Sequence, residues 1–309
     1  MSIGKRDLIN ASRRAQLPIT SFDFRGLPIF YEEFIPENHS RFDSELDEIT
    51  KADALARRTM KGFCNISATE TDFDISSENL RENIVARSSL SINRQRVVVC
   101  GLSCAIFGCP YASLDEITTY INEKRLKVYS AEANSSFFQH LKQRLRAELF
   151  FYSEFFGAEY KSGELVNDIS HQDLQHTSFD AESFDIVLTS EVFEHIPDAV
   201  AAEREVVRIL KKGGIYCFTV PFLPYKEHDL ILAELDDAGT IKYLAEPQYH
   251  GDPVRPNEGI LVYRLFSFND LKQRFEALAC RFLTYRFWSK SLGILDNNGW
   301  VHVVEKVST

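Results

Sequence analysis

Long apolar runs and an excess of basic residues are both missing from this chain. No stretch approaches the ~18 to 20 consecutive apolar residues that cross a bilayer. The opening residues, MSIGKRDLINASRRAQ, lack the apolar core of a secretory signal. A net charge of −10 argues against broad binding to phosphate backbones. We therefore expect a cytoplasmic protein that acts on a small molecule or a protein, without a membrane or a nucleic acid as partner.

Cysteine is also scarce, with six residues in a chain of 309. That number is too small for a disulfide scaffold in a protein of this size. Cys217 and Cys280 fit small buried apolar groups. Cys100, Cys104 and Cys109 form a cluster whose spacing matches no common zinc signature. We favour core packing for this cluster, and metal or redox chemistry stays open as the alternative.

The most informative stretch is residues 183–222, SFDIVLTSEVFEHIPDAVAAEREVVRILKKGGIYCFTVPF. The apolar run at 184–189 is typical of a parallel strand that is buried on both faces. A polar loop follows at 190–195, and a helix begins near Asp198. We predict that Lys-Lys-Gly-Gly at 211–214 ends this helix, before a second strand. Ligands bind outside the carboxyl ends of such strands, which places chemistry at the loop.

This stretch resembles the fourth and fifth strands of class I S-adenosylmethionine-dependent methyltransferases, in the type 11-like subgroup with a Glu-His-hydrophobic-Pro-Asp motif. The resemblance covers roughly residues 126–306. It implies an α/β, Rossmann-like fold with a seven-stranded, mostly parallel sheet whose last strand is antiparallel. We predict a methyltransferase domain at 126–309 with a substrate-loop insertion at about 223–266. Before it we predict an N-terminal helical extension at 1–60 and a linker region at 61–125.

The resemblance also implies S-adenosyl-L-methionine as the cofactor. Glu154 ends the second predicted strand, where a carboxylate can accept hydrogen bonds from both ribose hydroxyls; an exposed strand-end acid is the alternative. Asp173 matches an acid that binds the adenine amino group, beside the amide of Leu174, although Asp also commonly caps turns. The turn AEANSS is poor in glycine. The predicted cofactor-binding residues are Glu132, Ala133, Asn134, Glu154, Asp173, Leu174, Ser190 and Glu191.

Two histidines are candidates for catalysis. His195 follows the fourth strand, and an unperturbed imidazole titrates near neutral pH, so it is the leading candidate for a general base. A role in ordering the loop competes with this hypothesis. His250 is the second catalytic candidate, and it lies in the long connection after the fifth strand.

That connection is the expected place for substrate specificity, because long loops in compact domains are usually functional or disordered. We predict no metal site, although one formed by His228, His250 and a carboxylate stays open, since spacing across a loop cannot establish it. The predicted substrate-binding residues are Tyr225, His228, Glu246, Tyr249 and His250.

The linker region resembles a zinc ribbon that has lost most of its ligands. Cys64 occupies one ligand position, while Ser67, Ala86 and Ser89 occupy the other three. Serine and alanine cannot replace thiolates in a structural zinc site, so we predict no zinc there.

Together these features predict a methyltransferase that acts on an oxygen or nitrogen acceptor of a small polar metabolite. A catalytically inactive, methyltransferase-like binding or regulatory protein is the alternative, motivated by the glycine-poor turn and the lost zinc ligands. A nicotinamide-dependent oxidoreductase is disfavoured because no Gly-x-Gly-x-x-Gly follows a strand. A homodimer stays open.

Overall fold

A computed structural model describes the chain in two compact units. The described residues are 19–22, 28–33, 58–75, 79–251, 254, 257–295 and 299–307. The first unit comprises Met1–Arg125, Gln139–Arg146 and Leu283–Val303. The second comprises Leu126–Phe138, Ala147–Phe282 and Val304–Thr309. Within the described ranges, no helix has both the length and the apolar character that a bilayer crossing requires.

Among the described residues, the first unit contains antiparallel strands and helices. Its strands are β1 (Ile19–Phe22), β2 (Pro28–Glu33), β3 (Arg58–Cys64), β4 (Thr69–Ile75) and β5 (Ile84–Ala86). Its helices are α1 (Leu80–Asn83), α2 (Asn93–Phe107) and α3 (Leu114–Lys124). β1 pairs with β2, and β3, β4 and β5 form a three-stranded antiparallel sheet.

The predicted helical extension at 1–60 is described only in its strands. We expected helical stretches there, interrupted at Leu27–Ile29, but β1, β2 and the first residues of β3 are extended backbone. The remainder of that segment lies outside the described residues. In β2 the register against the strand Cys280–Trp288 pairs Tyr31 with Phe287, so partners far along the chain select the extended conformation.

The four predicted zinc-ribbon positions lie around the three-stranded sheet. Cys64 ends β3, Ala86 ends β5, and both are fully buried. The Cys64 Sγ lies 3.2 Å from the Ser89 Oγ, so a hydroxyl now meets the one remaining thiol. The Ser67 Oγ lies 2.7 Å from the Ser88 Oγ. Hydrogen bonds between small polar groups thus link the strands and turns of this region.

A buried arginine lies beside this sheet. The Arg96 guanidinium is fully buried and its centre lies 4.7 Å from the centroid of the Phe73 ring. It donates hydrogen bonds of 2.6 to 2.9 Å to backbone carbonyls, and these belong to Ile84, Ser91, Leu292 and Gly293. Because backbone carbonyls accept strongly, this cation is satisfied without a carboxylate. It joins segments that are distant in sequence within the first unit.

The cysteine cluster lies on and just after α2. Cys100 and Cys104 are buried within the helix, and Cys109 follows it at intermediate exposure. Burial raises the pKa of the Cys100 thiol to about 12, which keeps it protonated near neutral pH. Cys100 and Cys104 therefore pack as small apolar side chains.

The second unit contains most of the remaining elements. Its strands begin with β6 (Val128–Ser130), β7 (Phe150–Glu154), β8 (Leu165–Val166), β9 (Ile169–His171), β10 (Phe184–Ser190) and β11 (Leu210–Thr219). Its helices are α5 (Ala199–Ile209) and α6 (Phe268–Ala277), which follow α4 (Ser136–Arg144) along the chain. Short 3₁₀ turns occupy Ala147–Leu149 and Phe193–His195. α4, β19 (Cys280–Trp288) and β20 (Trp300–Lys306) contribute residues to both units.

The sheet of the second unit has the order β11-β10-β6-β7-β9-β8. β10 pairs in parallel with β11 and β6, β6 pairs in parallel with β7, and β7 pairs in parallel with β9. Only β8 is antiparallel within this series. The predicted first, second, fourth and fifth strands match β6, β7, β10 and β11. The expected Rossmann-like methyltransferase fold is confirmed.

The βαβ unit around β10 follows its sequence pattern closely. Four consecutive residues of β10 are buried, as expected for a central parallel strand. The Asp198 side chain caps α5 by accepting a hydrogen bond of 2.9 Å from the Ala201 amide. The predicted glycine cap at 211–214 is wrong. The helix ends at Ile209 and Leu210 is extended, because buried Leu210 pairs with Phe184 and starts β11 early.

The predicted insertion at about 223–266 forms short strands. They are β12 (Phe222–Leu223), β13 (Leu230–Ile231), β14 (Ala233–Leu235), β15 (Ile241–Tyr243), β16 (Tyr249–His250), β17 (Ile260–Leu261) and β18 (Arg264–Ser267). β14 and β15 form an antiparallel pair, and so do β16 and β17. β18 pairs with both β12 and β13. Backbone pairing therefore orders a segment that the sequence indicated only as a long connection.

A buried ion-pair network ties this insertion to two helices. The Arg274 Nε, on α6, donates to the Glu203 carboxylate on α5 at 2.8 and 3.0 Å. An Arg274 terminal nitrogen donates to Asp229 at 2.8 Å. The second Asp229 oxygen accepts from the Ser267 amide at 2.7 Å. Glu203 and Asp229 side chains are 1% and 5% exposed, so their charges depend on these partners.

Replacing Arg274 with methionine would leave Glu203 and Asp229 buried without their main cation. Breaking a buried ion pair costs about 3 to 5 kcal/mol, so we expect the free energy of unfolding to fall by that amount. Urea denaturation measures the change. Lys272→Met is the matched control, because Lys272 lies on the same helix with a half-exposed side chain. Equal losses of unfolding free energy in the two variants would contradict the proposed contribution of the network to stability.

Candidate active site

Glu154 meets the predicted cofactor turn at the carboxyl edge of the sheet. It is the last residue of β7, and the turn follows the adjacent parallel strand β6. The Glu154 Oε2 accepts hydrogen bonds from the Ala133 amide at 3.2 Å and from the Asn134 side chain at 2.8 Å. Three predicted cofactor-binding residues are thus in direct contact. The neighbouring Glu132 side chain accepts from the Ser135 hydroxyl at 2.9 Å, which orders the start of α4.

Burial dominates the electrostatics of Glu154. It raises the pKa of this carboxyl to about 7, while the Ala133 and Phe155 amides act in the opposite direction and Glu132 adds repulsion. Hydrogen bonds from further hydroxyl donors would stabilise the charged form of this carboxyl, which burial disfavours. A ribose diol supplies two such donors, so the residues present fit the cofactor that the resemblance implies.

The Asp173 side chain caps a turn, which is the alternative role that the sequence suggested for it. One of its carboxylate oxygens accepts from the Gln175 amide at 2.8 Å, and the Gln175 side chain lies 3.1 Å from both oxygens. This is the turn capping that Asp commonly provides. Leu174 beside it is buried. An adenine contact at Asp173 stays a prediction, and it would have to share the carboxylate with Gln175.

Ser190 and Glu191 lie where β10 ends. The Ser190 Oγ lies 3.1 Å from the Thr219 Oγ1 on β11, and the Glu191 amide donates to the Thr219 carbonyl at 3.0 Å. Glu191 has a left-handed backbone, with φ of 55°. A non-glycine residue in this region commonly marks a constrained turn.

The two predicted catalytic histidines lie side by side. The ring centroids of His195 and His250 are 5.1 Å apart, and the planes are nearly perpendicular. Between them lies Glu194, whose side chain is 0% exposed. The Glu194 Oε1 is 3.6 Å from the His195 Nε2 and 3.5 Å from the His250 Nδ1. We name these three residues the Glu-His-His cluster.

Backbone contacts hold this cluster in place. The Tyr263 amide donates to the Glu194 carbonyl at 2.7 Å. The His195 Nδ1 lies 2.8 Å from the Leu261 carbonyl, at the end of β17. Since β17 pairs with β16, the same hairpin that contacts His195 also carries His250. Long-range pairing therefore brings His250 to Glu194 and His195, which lie more than 50 residues earlier in the sequence.

Burial raises the pKa of the Glu194 carboxyl, and repulsion from Glu191 adds to this shift. The two imidazoles act in the opposite direction. Sequence reasoning had placed Glu194 only in the loop after the fourth strand. The residue pattern did not indicate that Glu194 is buried, because the neighbouring polar residues suggested an exposed loop.

The other predicted substrate-binding residues do not join this cluster. The His228 imidazole donates to Asp270 at 3.1 Å, and its side chain is 74% exposed. The Tyr249 hydroxyl lies 3.3 Å from the Tyr243 hydroxyl. Tyr225 and Glu246 are exposed. Substrate contacts by these four residues stay predictions.

Comparison with known protein families agrees with the fold. Residues 113–218 match the family described as "Methyltransferase domain". A curated relative, methyltransferase tpcH of Aspergillus fumigatus, is 25% identical over 138 residues, which are 45% of this chain and 44% of the relative. The chain thus spans less than half the length of this relative.

Two solved structures are similar in part. One is an S-adenosylmethionine-dependent methyltransferase from Mesorhizobium loti, with 12% identity, a TM-score of 0.37, and coverage of 58% of this chain and 90% of that chain. The other is 1,6-didemethyltoxoflavin-N1-methyltransferase of Burkholderia thailandensis, with bound 1,6-didemethyltoxoflavin and S-adenosylhomocysteine. It shows 12% identity and a TM-score of 0.35, over 63% of this chain and 78% of that chain.

The parallel strand order is that of a Rossmann-like fold, and residues 113–218 match the methyltransferase-domain family.

Replacing Glu154 with glutamine tests the burial of its carboxyl. The folded-state pKa of about 7 exceeds the ordinary value of 4.5, so the unfolded chain releases this proton first as the pH rises. Wild type therefore loses stability between these two values, and glutamine does not. We expect Glu154→Gln to be more stable than wild type by about 2 to 3 kcal/mol near pH 8, with no such gain below about pH 4.5.

Urea denaturation of the ligand-free protein across this pH range measures the difference. Glu164→Gln is the control, because Glu164 is an exposed glutamate of the same unit. A pH-independent difference between Glu154→Gln and wild type would contradict the raised pKa.

Proposed function

We propose that this protein transfers a methyl group from S-adenosyl-L-methionine to an oxygen or nitrogen of a small polar metabolite. The observation that carries the proposal is the meeting of Glu154 with the Ala133-Asn134 turn at the carboxyl edge of the parallel sheet. The Glu-His-His cluster follows β10, the strand adjacent to β6, and supplies titratable groups near the carboxyl edge of the sheet. The acidic net charge of −10 supports a small molecule over a polyanion as substrate.

The residues of this chain would divide the work as follows. Glu154 binds the ribose hydroxyls, and the Ala133-Asn134 turn holds the Glu154 carboxylate in position. When bound, the cofactor supplies an electrophilic methyl group on a sulfonium. Because methyl transfer needs close, in-line approach of the acceptor, binding and orientation are the main contributions of the protein. The exposed aromatic and polar side chains of the 223–266 insertion are suited to binding such an acceptor.

His195 is suited to accept a proton from the methyl acceptor. Its Nδ1 faces the Leu261 carbonyl, which can only accept, so Nδ1 carries the hydrogen and the Nε2 lone pair is available. A neutral imidazole in this tautomer can accept a proton from a hydroxyl or an ammonium group. The His250 ring lies beside the His195 ring and is a second candidate for accepting this proton.

The first test is calorimetric titration of the protein with S-adenosylhomocysteine. We expect saturable binding by wild type and about 10- to 100-fold weaker binding by Glu154→Ala, because hydrogen bonds to a charged group contribute about 1.5 to 3 kcal/mol. Asp173→Ala is expected to weaken binding as well. Glu164→Ala, which removes an exposed acid of the same unit, serves as the control.

Unchanged affinity in both variants would overturn the assignment of the cofactor site. Failure of wild type to bind either S-adenosylmethionine or its demethylated product would favour a catalytically inactive, methyltransferase-like binding protein. With binding established, methyl transfer from labelled cofactor into the small-molecule fraction of a cell extract tests the substrate class. Label found only in protein would contradict a metabolite acceptor.

A further inference from the structure

The ligand atoms of the Glu-His-His cluster have the spacing of a metal-binding site. The Glu194 Oε1, His195 Nε2 and His250 Nδ1 all lie within 4.8 Å of one another. The two distances from the Glu194 Oε1 are 3.5 and 3.6 Å. A tetrahedral ion with bonds of about 2.1 Å keeps its ligand atoms about 3.4 Å apart. One ion therefore fits among these three atoms with little movement of the side chains.

The tautomer of His195 points to the same conclusion. Its Nδ1 proton is directed to the Leu261 carbonyl, so the neutral ring presents a lone pair at Nε2. That lone pair lies 3.6 Å from the Glu194 Oε1, so both atoms can bind one cation between them. Histidine ligands of metals usually donate their other ring hydrogen to a carbonyl or carboxylate, as His195 does.

Glu194 provides a second, independent observation. Its side chain is 0% exposed, and neither carboxylate oxygen accepts a hydrogen bond from the part of the chain that the structure describes. Charge-assisted hydrogen bonds measure about 2.7 to 2.9 Å, so the imidazole nitrogens at 3.5 and 3.6 Å lie too far away to satisfy it. Burying an unsatisfied carboxylate costs several kcal/mol or more. A bound cation removes this cost.

We propose that Glu194, His195 and His250 bind one divalent transition-metal ion. Two imidazoles and one carboxylate suit zinc, iron(II), cobalt and nickel, rather than calcium or magnesium, which prefer oxygen ligands. This proposal departs from the sequence-based prediction of no metal site. The open alternative had named His228 with His250, but His228 pairs with Asp270, and His195 takes its place.

Three protein ligands leave coordination positions for a substrate atom. Since the cluster follows β10 at the carboxyl edge of the sheet, an oxygen of the methyl acceptor could bind there, a step that rests on the proposed function. A bound cation lowers the pKa of a coordinated hydroxyl and makes it a better nucleophile. His195 would then act as a metal ligand through Nε2 and not as the base, and the proton of the coordinated hydroxyl would pass to solvent water.

Metal binding is measured on the whole protein, without cofactor or substrate. After treatment with a chelator, wild type is titrated with zinc by calorimetry and with cobalt by visible absorption, which reports the coordination geometry. We expect one equivalent to bind, and His250→Ala and His195→Ala to weaken binding by about 100-fold or more, since loss of even an outer-shell partner costs 10- to 100-fold. His228→Ala is the matched control, because it removes a loop imidazole that also lies beside a carboxylate.

Three results would overturn the metal site: no zinc or cobalt binding by wild type, unchanged affinity in the His195 and His250 variants, or an equal loss in His228→Ala. The second of these would show that the metal binds elsewhere on the chain. His250→Ala carries the test if His195→Ala fails to fold, because the His250 side chain is 40% exposed. S-adenosylhomocysteine binding by the same samples separates failure of the metal site from failure of the proposed function.

Discussion

Parallel pairing of β10 with β6 and β11 is the constraint on which the second unit depends. Parallel strands must all leave the sheet at one edge, and each connection must return across a face. The carboxyl ends of β6, β7 and β10 therefore deliver their following residues to the same side. Glu154 reaches the Ala133-Asn134 turn because those strands are adjacent, and the Glu194-His195 turn begins at this edge for the same reason.

Three glutamates of the second unit whose carboxyl pKa is raised by burial differ in how their charge is compensated. Burial raises the pKa of Glu154 and of Glu203 to about 7, and it also raises the pKa of Glu194. Glu203 faces the Arg274 guanidinium, which makes it part of the packing between helices and insertion. Glu154 contacts only neutral donors among its hydrogen-bonding partners, and Glu194 has two imidazoles just beyond hydrogen-bond distance. The incompletely compensated acids are therefore the ones suited to binding a ligand.

Much of the second unit could be predicted because its signals are local. The apolar run at Phe184, the acid at Asp198 and the strand-end position of Glu154 depend on neighbours within a few residues. The misplaced helix end at Leu210 shows the limit of such signals. A left-handed residue does occur nearby, at Gly213, but strand pairing of buried Leu210 outweighed local capping. The same competition explains the strands found at Ile19–Phe22 and Pro28–Glu33 within the predicted helical extension.

The sequence by itself determined the βαβ order, the edge of the sheet that carries the site, and the residue types available there. Only the tertiary structure decided which of these residues meet. His250 reaches Glu194 through the hairpin of β16 and β17, while His228 turns to Asp270. It also decided that Glu194 is buried and that Asp173 caps a turn. Burial and contacts between distant segments depend on the packing of the whole unit, and local patterns do not encode them.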